Sequence, residues 1–326
     1  NYTYEAGIRK LKEKIFDIVR EINLRYLTNN IEYSFPIIIS LDIVKEIFSN
    51  KPKIVVDYGN AVGVKEIEGI KDLFEIIPLY EELDGTFPNH EANPLKTETL
   101  KVLQKEITKH SADFGAAFDG DADRCGFVDE NGEIIGMDLM TAVIAEDLIR
   151  QTGPQTILYD LRSSKAVPEA ITAAGGKPLM TPVGHAVIKE DMRSKNAAFA
   201  GELSGHYYFR ENYYSESQAI VLILLCNMLE QKKCKLSELI RPLRKYYNTG
   251  EINRKVHDIP RILKKLKKHY HHAKLTELDG VTFEYDDWWC NVRASNTEPL
   301  LRIFVEANAE KLLKTKAEEL LKLIDG

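Results

Sequence analysis

The stretch ADFGAAFDGDADRCGFVDENGEII, residues 112–135, places three aspartates and an arginine between two apolar runs. Asp119, Asp121 and Asp123 stand at alternate positions, directly after a run apolar enough to be a buried strand. Carboxylates this close repel one another unless something neutralises them, which weighs against a merely solvated acidic turn. A divalent cation would neutralise them, and oxygen-only ligands suit Mg2+ or Ca2+ rather than zinc. A calcium EF-hand loop is the sharper rival, because Asp119, Asp121, Asp123 and Glu130 fall at its first, third, fifth and twelfth positions. Arg124, however, stands where that loop needs glycine, and the flanks read as strands where it needs helices. An arginine beside the carboxylates fits a phosphate ligand, which takes both a cation and a forked donor.

Outward from this turn the chain alternates short strand-like runs with helical patterns, the signature of parallel α/β units. KIVVDYGNAVG, FEIIPLY, QTILYDLRSS, KPLMTPVGH and AAFAGELSGH each pass from an apolar run towards polar residues, most of them through glycine. In open α/β sheets ligands bind at the carboxyl ends of strands, so these junctions are where chemistry is expected. TLKVLQKEITKH, DLMTAVIAEDLIRQ and AVIKEDMRSK read as the intervening helices. After about residue 248 the texture changes to longer strands around one loop, VTFEYDDWWCNVRASNTEPLLRIFVEA, and a charged closing helix. That change predicts a separate α+β domain.

Bulk properties narrow the class. A chain of 326 residues is long for one domain. A net charge of −6 argues against a nucleic-acid surface. The basic run RILKKLKKHYHH has apolar residues at helical spacing and predicts an amphipathic helix with a solvated basic face. Cys125, Cys226, Cys234 and Cys290 show no paired spacing and read as free thiols of a reducing compartment. AIVLILLCNML is about half a membrane span and predicts a buried helix, so no membrane partner is expected and the cytoplasm is the expected location.

Two further motifs carry donors. In GELSGH, residues 201–206, Glu202, Ser204 and His206 alternate, offering an acceptor, a hydroxyl and an imidazole on one face, a mixture suited to a polyhydroxylated ligand. An ordinary turn has the same composition. In RASNTEPLLR, residues 293–302, Arg293, Ser295, Asn296 and Thr297 precede Arg302 on a following strand. Hydroxyls, an amide and arginines around one loop make a phosphate cradle. Gly184 and His185 fall at a strand end, where a lone histidine is more often structural.

In this order, FDGDADR, YDLRSSKAVPEAITAAGGKPLMTPVGHAVIKEDM, GELSGHYYFREN and VRASNTEPLLRIFVEA, with LDGTFPNHEANPL before them, resemble the α-D-phosphohexomutase superfamily. The resemblance is strongest to its phosphomannomutase/phosphoglucomutase branch and spans nearly the whole chain. It implies two consecutive α/β/α domains with mixed sheets and a C-terminal α+β domain of TBP-like form. On this sequence the divisions would be a domain I remnant at 1–30, domain II at 31–133, domain III at 134–247 and domain IV at 248–326. It implies interconversion of mannose 6-phosphate and mannose 1-phosphate, or of the glucose phosphates, through a phosphoserine and a hexose 1,6-bisphosphate. It implies Asp119, Asp121 and Asp123 as Mg2+ ligands and Arg124 as partner of the transferring phosphoryl group. Glu202 and Ser204 would read sugar hydroxyls, with His206 and His185 lining the same pocket. Arg293, Ser295, Asn296, Thr297 and Arg302 would clamp the non-reacting phosphate, and Arg162 matches a position basic in many relatives.

Two departures stand out. The family's phosphoserine loop, of the type T-A-S-H-N-P, has no counterpart in these residues, so a donor domain I is expected in cis or as a separate chain, and this chain alone is expected to be inactive. A binding protein that holds sugar phosphates without turning them over is the alternative. In NYYSESQAI, Glu216, Ser217 and Gln218 replace an Asp-Ser-Gly-like run.

Overall fold

The computed structural model describes residues 51–256, 258–295 and 300–326. The expected domain I remnant at 1–30, Asn296 and Thr297 lie outside the described residues. Within them the chain forms three consecutive units.

The first unit runs β1 (Lys53–Asp57), α1 (Gly63–Glu66), β2 (Glu75–Leu79), α2 (Lys101–His110), β3 (Phe114–Phe118), β4 (Cys125–Asp129) and β5 (Ile134–Ile135). Its sheet order is β2-β1-β3-β4-β5. The first three strands are parallel, and β4 and β5 turn back antiparallel. All five residues of β1's partner β3 are buried, as is fitting for a strand covered on both faces.

The second unit repeats this plan. It runs α3 (Met137–Thr152), β6 (Thr156–Asp160), α4 (Ala166–Ala173), β7 (Lys177–Thr181), α5 (His185–Lys195), β8 (Phe199–Gly201), β9 (Tyr207–Phe209), β10 (Ser215–Glu216), α6 (Gln218–Lys232) and α7 (Leu236–Ile240). The sheet order is β10-β9-β8-β6-β7, with β6, β7 and β8 parallel and β9 and β10 antiparallel. Read from the other edge this is the order of the first sheet. The turn 119–124 and the turn 202–206 therefore occupy the same place, where the last parallel strand folds into its antiparallel partner. Asp57 and Asp160 also correspond, each ending a first strand and accepting the N–H two residues on.

The apolar run expected to be a buried helix is α6, whose Ile220, Val221, Leu222, Leu224 and Leu225 are buried. Ser217 caps it by accepting the N–H of Ile220. Glu66 reaches over from the first unit and accepts the N–H groups of Gln218 and Ala219, an anion on a helix N-terminus. One apolar core runs through both units, joining Ile54, Phe114 and Phe127 to Met140, Phe199, Tyr207 and Leu225.

The third unit runs β11 (Tyr247–Asn248), β12 (Ile252–Lys255), α8 (Ile259–His269), β13 (Lys274–Thr276), β14 (Val281–Glu284), β15 (Trp288–Ala294), β16 (Leu300–Ala307) and α9 (Glu310–Asp325). Its sheet is antiparallel, and its core is separate, with Trp288, Cys290, Val292, Leu301, Ile303 and Val305 under Leu266 and Leu320 of α8 and α9. The basic run becomes α8, with Leu266 buried and Lys264, Lys265, Lys267 and Lys268 not. The run VTFEYDDWW breaks between Glu284 and Trp288, so what reads as one long strand is two.

Gly205 fixes how the first two units meet. Its φ is +89°, and an added Cβ would lie 2.9 Å from the carbonyl oxygen of Cys125 and 2.7 Å from the sulfur of Met137. Replacing it with alanine combines left-handed strain with overpacking, about 2 kcal/mol together. Gly205→Ala should lower the thermal unfolding midpoint by roughly 4 °C or more. An unchanged midpoint by calorimetry would show that the two units do not close against each other here.

Candidate active site

β3 and β4 form a hairpin, so the EF-hand alternative fails on its flanks, which are strands. In the turn between them Ala122 takes a left-handed φ of 61°, a conformation disfavoured for a residue with a Cβ. This sharp reversal brings oxygens of Asp119, Asp121 and Asp123 within 4.8 Å of one another. Asp119 is wholly buried, and its carboxylate accepts the backbone N–H of Arg124 at 3.1 Å and its Nε–H at 2.6 Å. Burial nevertheless pushes the Asp119 carboxyl up to about 6, with Asp123 and Asp121 adding to the push against the pull of Arg124. One arginine is too little positive charge for three carboxylates. The donor set fits a hard divalent cation bound by oxygens.

The second turn faces this one. Tyr208 donates its hydroxyl to Glu202 Oε1 at 2.5 Å, and Ser204 Oγ lies 2.9 Å from His206 Nδ1. The other imidazole nitrogen, Nε2, lies 3.4 Å from Asp123 Oδ1. Burial alone would lower the His206 pKa, but the Asp123 hydrogen bond and the Glu202 charge outweigh it and raise the pKa above its ordinary 6.5. The same contact, first among its causes, lowers the pKa of Asp123. His185, at the start of α5, is exposed, and its ring stands 6.0 Å from that of His206. Two cross-unit bonds lock the turns together. Cys125 N–H donates to the Gly205 carbonyl at 3.0 Å, and Gln218 Nε2 donates to the Asp123 carbonyl at 2.6 Å.

At the end of β6, Arg162 is buried and paired to Asp160 Oδ2 at 2.7 Å, with Glu202 at 3.6 Å and Glu251 at 3.7 Å. Burial works against its charge, but the three carboxylates raise its pKa further. Asp160 also accepts the N–H of Leu203, tying β6 to the Glu202 turn.

On β15 and β16, Trp288, Cys290 and Val292 point into the core while Trp289, Asn291 and Arg293 take the other face. Arg293 and Arg302 lie directly opposite one another in register, like charges that need an anion between them. Glu251 provides it, with Oε2 2.8 Å from Arg293 Nη2 and Oε1 3.2 Å from Arg302 Nη1. Ser295 continues the strand pair through its N–H to the Leu300 carbonyl at 2.9 Å.

A continuous polar chain therefore runs Asp123, His206, Glu202, Arg162, Glu251, Arg293 and Arg302. Each predicted site residue among the described ones lies on it or beside it. Sequence reasoning missed Asp160, Tyr208, Gln218 and Glu251. Only Asp160 had a local signal, the DxR spacing at a strand end.

Two mixed α/β layers followed by an α+β sheet, in this order, are the architecture of phosphoglucomutase/phosphomannomutase domains II, III and IV. The chain matches phosphoglucomutase/phosphomannomutase alpha/beta/alpha domain II over residues 35–132, alpha/beta/alpha domain III over 137–247 and the C-terminal domain over 251–323. It is 39% identical over 317 residues to a phosphomannomutase of Methanocaldococcus jannaschii, covering 97% of this chain and 70% of that protein. It is 34% identical over 312 residues to a phosphomannomutase/phosphoglucomutase of Pseudomonas syringae, covering 91% of this chain and 67% of that one. A solved phosphoglucomutase/phosphomannomutase family protein from Burkholderia thailandensis superposes with a TM-score of 0.77 at 28% identity, covering 86% of this chain and 63% of that structure. The chain belongs to the phosphoglucomutase/phosphomannomutase family, and it spans less than two thirds of that solved relative.

The His206 contact gives a pH prediction. An imidazole whose folded pKa is raised contributes stability that is complete below 6.5 and fades as pH rises through the folded value. In metal-free buffer the His206 ring should titrate above 6.5 by NMR, and Asp123→Asn should bring its midpoint down. A midpoint at or below the ordinary value would exclude the Asp123–His206 ion pair.

Proposed function

We propose that this chain binds a hexose phosphate and supplies most of the groups that move a phosphoryl group between its 6- and 1-positions, interconverting mannose 6-phosphate and mannose 1-phosphate. The reading rests on the unbroken polar chain from the Asp119–Arg124 turn, through the Glu202–His206 turn, to Arg293 and Arg302. It joins a cation-type site, a hydroxyl-reading turn and an anion clamp on one surface.

In this reading Asp119, Asp121 and Asp123 hold Mg2+, which when bound neutralises charge on the transferring phosphoryl oxygens. Arg124, aimed by its Nε–H bond to Asp119, offers its Nη groups to the same oxygens. Glu202, held by Tyr208, and Ser204 accept and donate to neighbouring sugar hydroxyls. His206 turns Nε2 towards Asp123 beside the reacting end, and His185 lines the same mouth. Arg293, Ser295 and Arg302, with Asn296 and Thr297 from the same loop, bind the distant phosphate, and Arg162 bridges the two ends. Binding energy from that clamp orients the reacting end, so positioning and charge neutralisation carry the acceleration. The phosphoryl donor is a phosphoserine on another stretch of polypeptide, in cis or as a separate chain, and a hexose 1,6-bisphosphate is the intermediate that turns over between the two sites. Glucose phosphates are the second reading, supported by the name of the Pseudomonas syringae relative.

Turnover of mannose 1-phosphate with Mg2+ tests this, with the chain alone and with a phosphoserine-bearing domain I supplied. Turnover is expected only with the domain, and Asp121→Asn should lower kcat by about 100-fold or more. Failure with the domain present would refute the mutase reading. Turnover by the chain alone would refute the external donor.

A further inference from the structure

Glu251 is the one carboxylate among the described residues that touches all three of Arg162, Arg293 and Arg302. It is held there by the backbone. Ile252, the next residue, pairs with Ile303, beside Arg302 on β16. Arg293 and Arg162 are 4% and 8% exposed, so their charges cannot be neutralised by solvent alone. Asp160 and Asp279 each meet one of these arginines and leave the space between Arg293 and Arg302 to Glu251.

We infer that Glu251 is a resident counter-anion that competes with the ligand's phosphate for the arginine pair. This deepens the clamp reading above and rests on it. With no phosphate bound, Glu251 bridges the two opposed guanidiniums, offsets part of their charge and keeps them aligned. When a phosphate dianion arrives, it meets arginines already engaged by a negative charge, and its affinity is lowered accordingly. A clamp weakened in this way releases its phosphate readily, which suits a site that must let a bisphosphate go and take it again by its other end. The same carboxylate links Arg162 of the second unit to the third, so exchanging it for phosphate also alters the joint between them.

Calorimetric titration of the chain with inorganic phosphate and with mannose 6-phosphate tests the inference, using the parent, Glu251→Gln, Glu251→Asp and Arg293→Gln. Glu251→Gln keeps the size and removes the charge, so phosphate should bind about tenfold more tightly. Glu251→Asp keeps the charge and should restore parental affinity. A purely structural role for Glu251 would instead weaken binding in the glutamine variant. Affinity in Glu251→Gln equal to or below the parent's, or no binding by either, overturns the inference. If Glu251→Gln is too unstable for titration, its unfolding midpoint should rise more with added phosphate than the parent's does, and an equal or smaller rise overturns it. Arg293→Gln separates the two layers. If it leaves phosphate binding intact, the clamp reading itself falls. If it abolishes binding while Glu251→Gln fails to tighten it, only the role of Glu251 falls.

Discussion

Like charges confined to one turn impose the constraint on which this site is built. Three carboxylates follow a fully buried strand, one of them wholly out of solvent, and the turn itself supplies one guanidinium. The second unit adds His206, whose Nε2 lies 3.4 Å from Asp123 and whose pKa that contact helps to raise above its ordinary value. Cys125 N–H on the Gly205 carbonyl and Gln218 on the Asp123 carbonyl then hold that unit in place. Electrostatics at the turn and the packing of two domains are one problem with one solution.

The solution exploits repetition. Two sheets of the same strand order place the acidic turn and the Glu202–His206 turn at equivalent hairpins. A shared apolar core fixes their relative position. The third unit is joined differently. Its core is its own, and its contacts to the second unit are polar, through Arg162 to Glu251, Lys165 N–H to Glu306, and Lys165 Nζ to the Tyr285 carbonyl. Polar joints of this kind resemble transient interfaces more than cores and yield to relative motion more easily.

Much of this was legible in the sequence because its signals are local. Apolar runs ending in polar turns marked strand ends, and Arg124 with strand-like flanks excluded the calcium loop. The third unit announced itself by a change of texture. What stayed hidden depends on contacts across long stretches of chain. Glu251 stands 42 and 51 residues from the arginines it joins, in an unremarkable TGEIN run, and only the β12–β16 pairing brings it there. Gln218 looked like a departure from the family's pattern, yet it reaches back 95 residues to hold the Asp123 carbonyl. Tyr208 carries no local sign of its role, because nothing in the YYF run marks Glu202 as the acceptor of its hydroxyl.

The two kinds of joint answer different chemical demands. In the proposed reaction Asp119, Asp121, Asp123, Arg124 and the Glu202–His206 turn would have to keep fixed distances, since misplacement of an ångström is costly to phosphoryl transfer. A continuous core and backbone-anchored turns supply that rigidity. Holding a far phosphate, as proposed for Arg293 and Arg302, would demand the opposite, an interaction strong enough to orient and weak enough to exchange. The ion pairs of Glu251 with Arg162, Arg293 and Arg302 are largely shielded from solvent, so a competing anion is what would moderate them. Under that proposal, an arginine pair on a unit joined by such contacts would separate the part of the site that must stay still from the part that must let go.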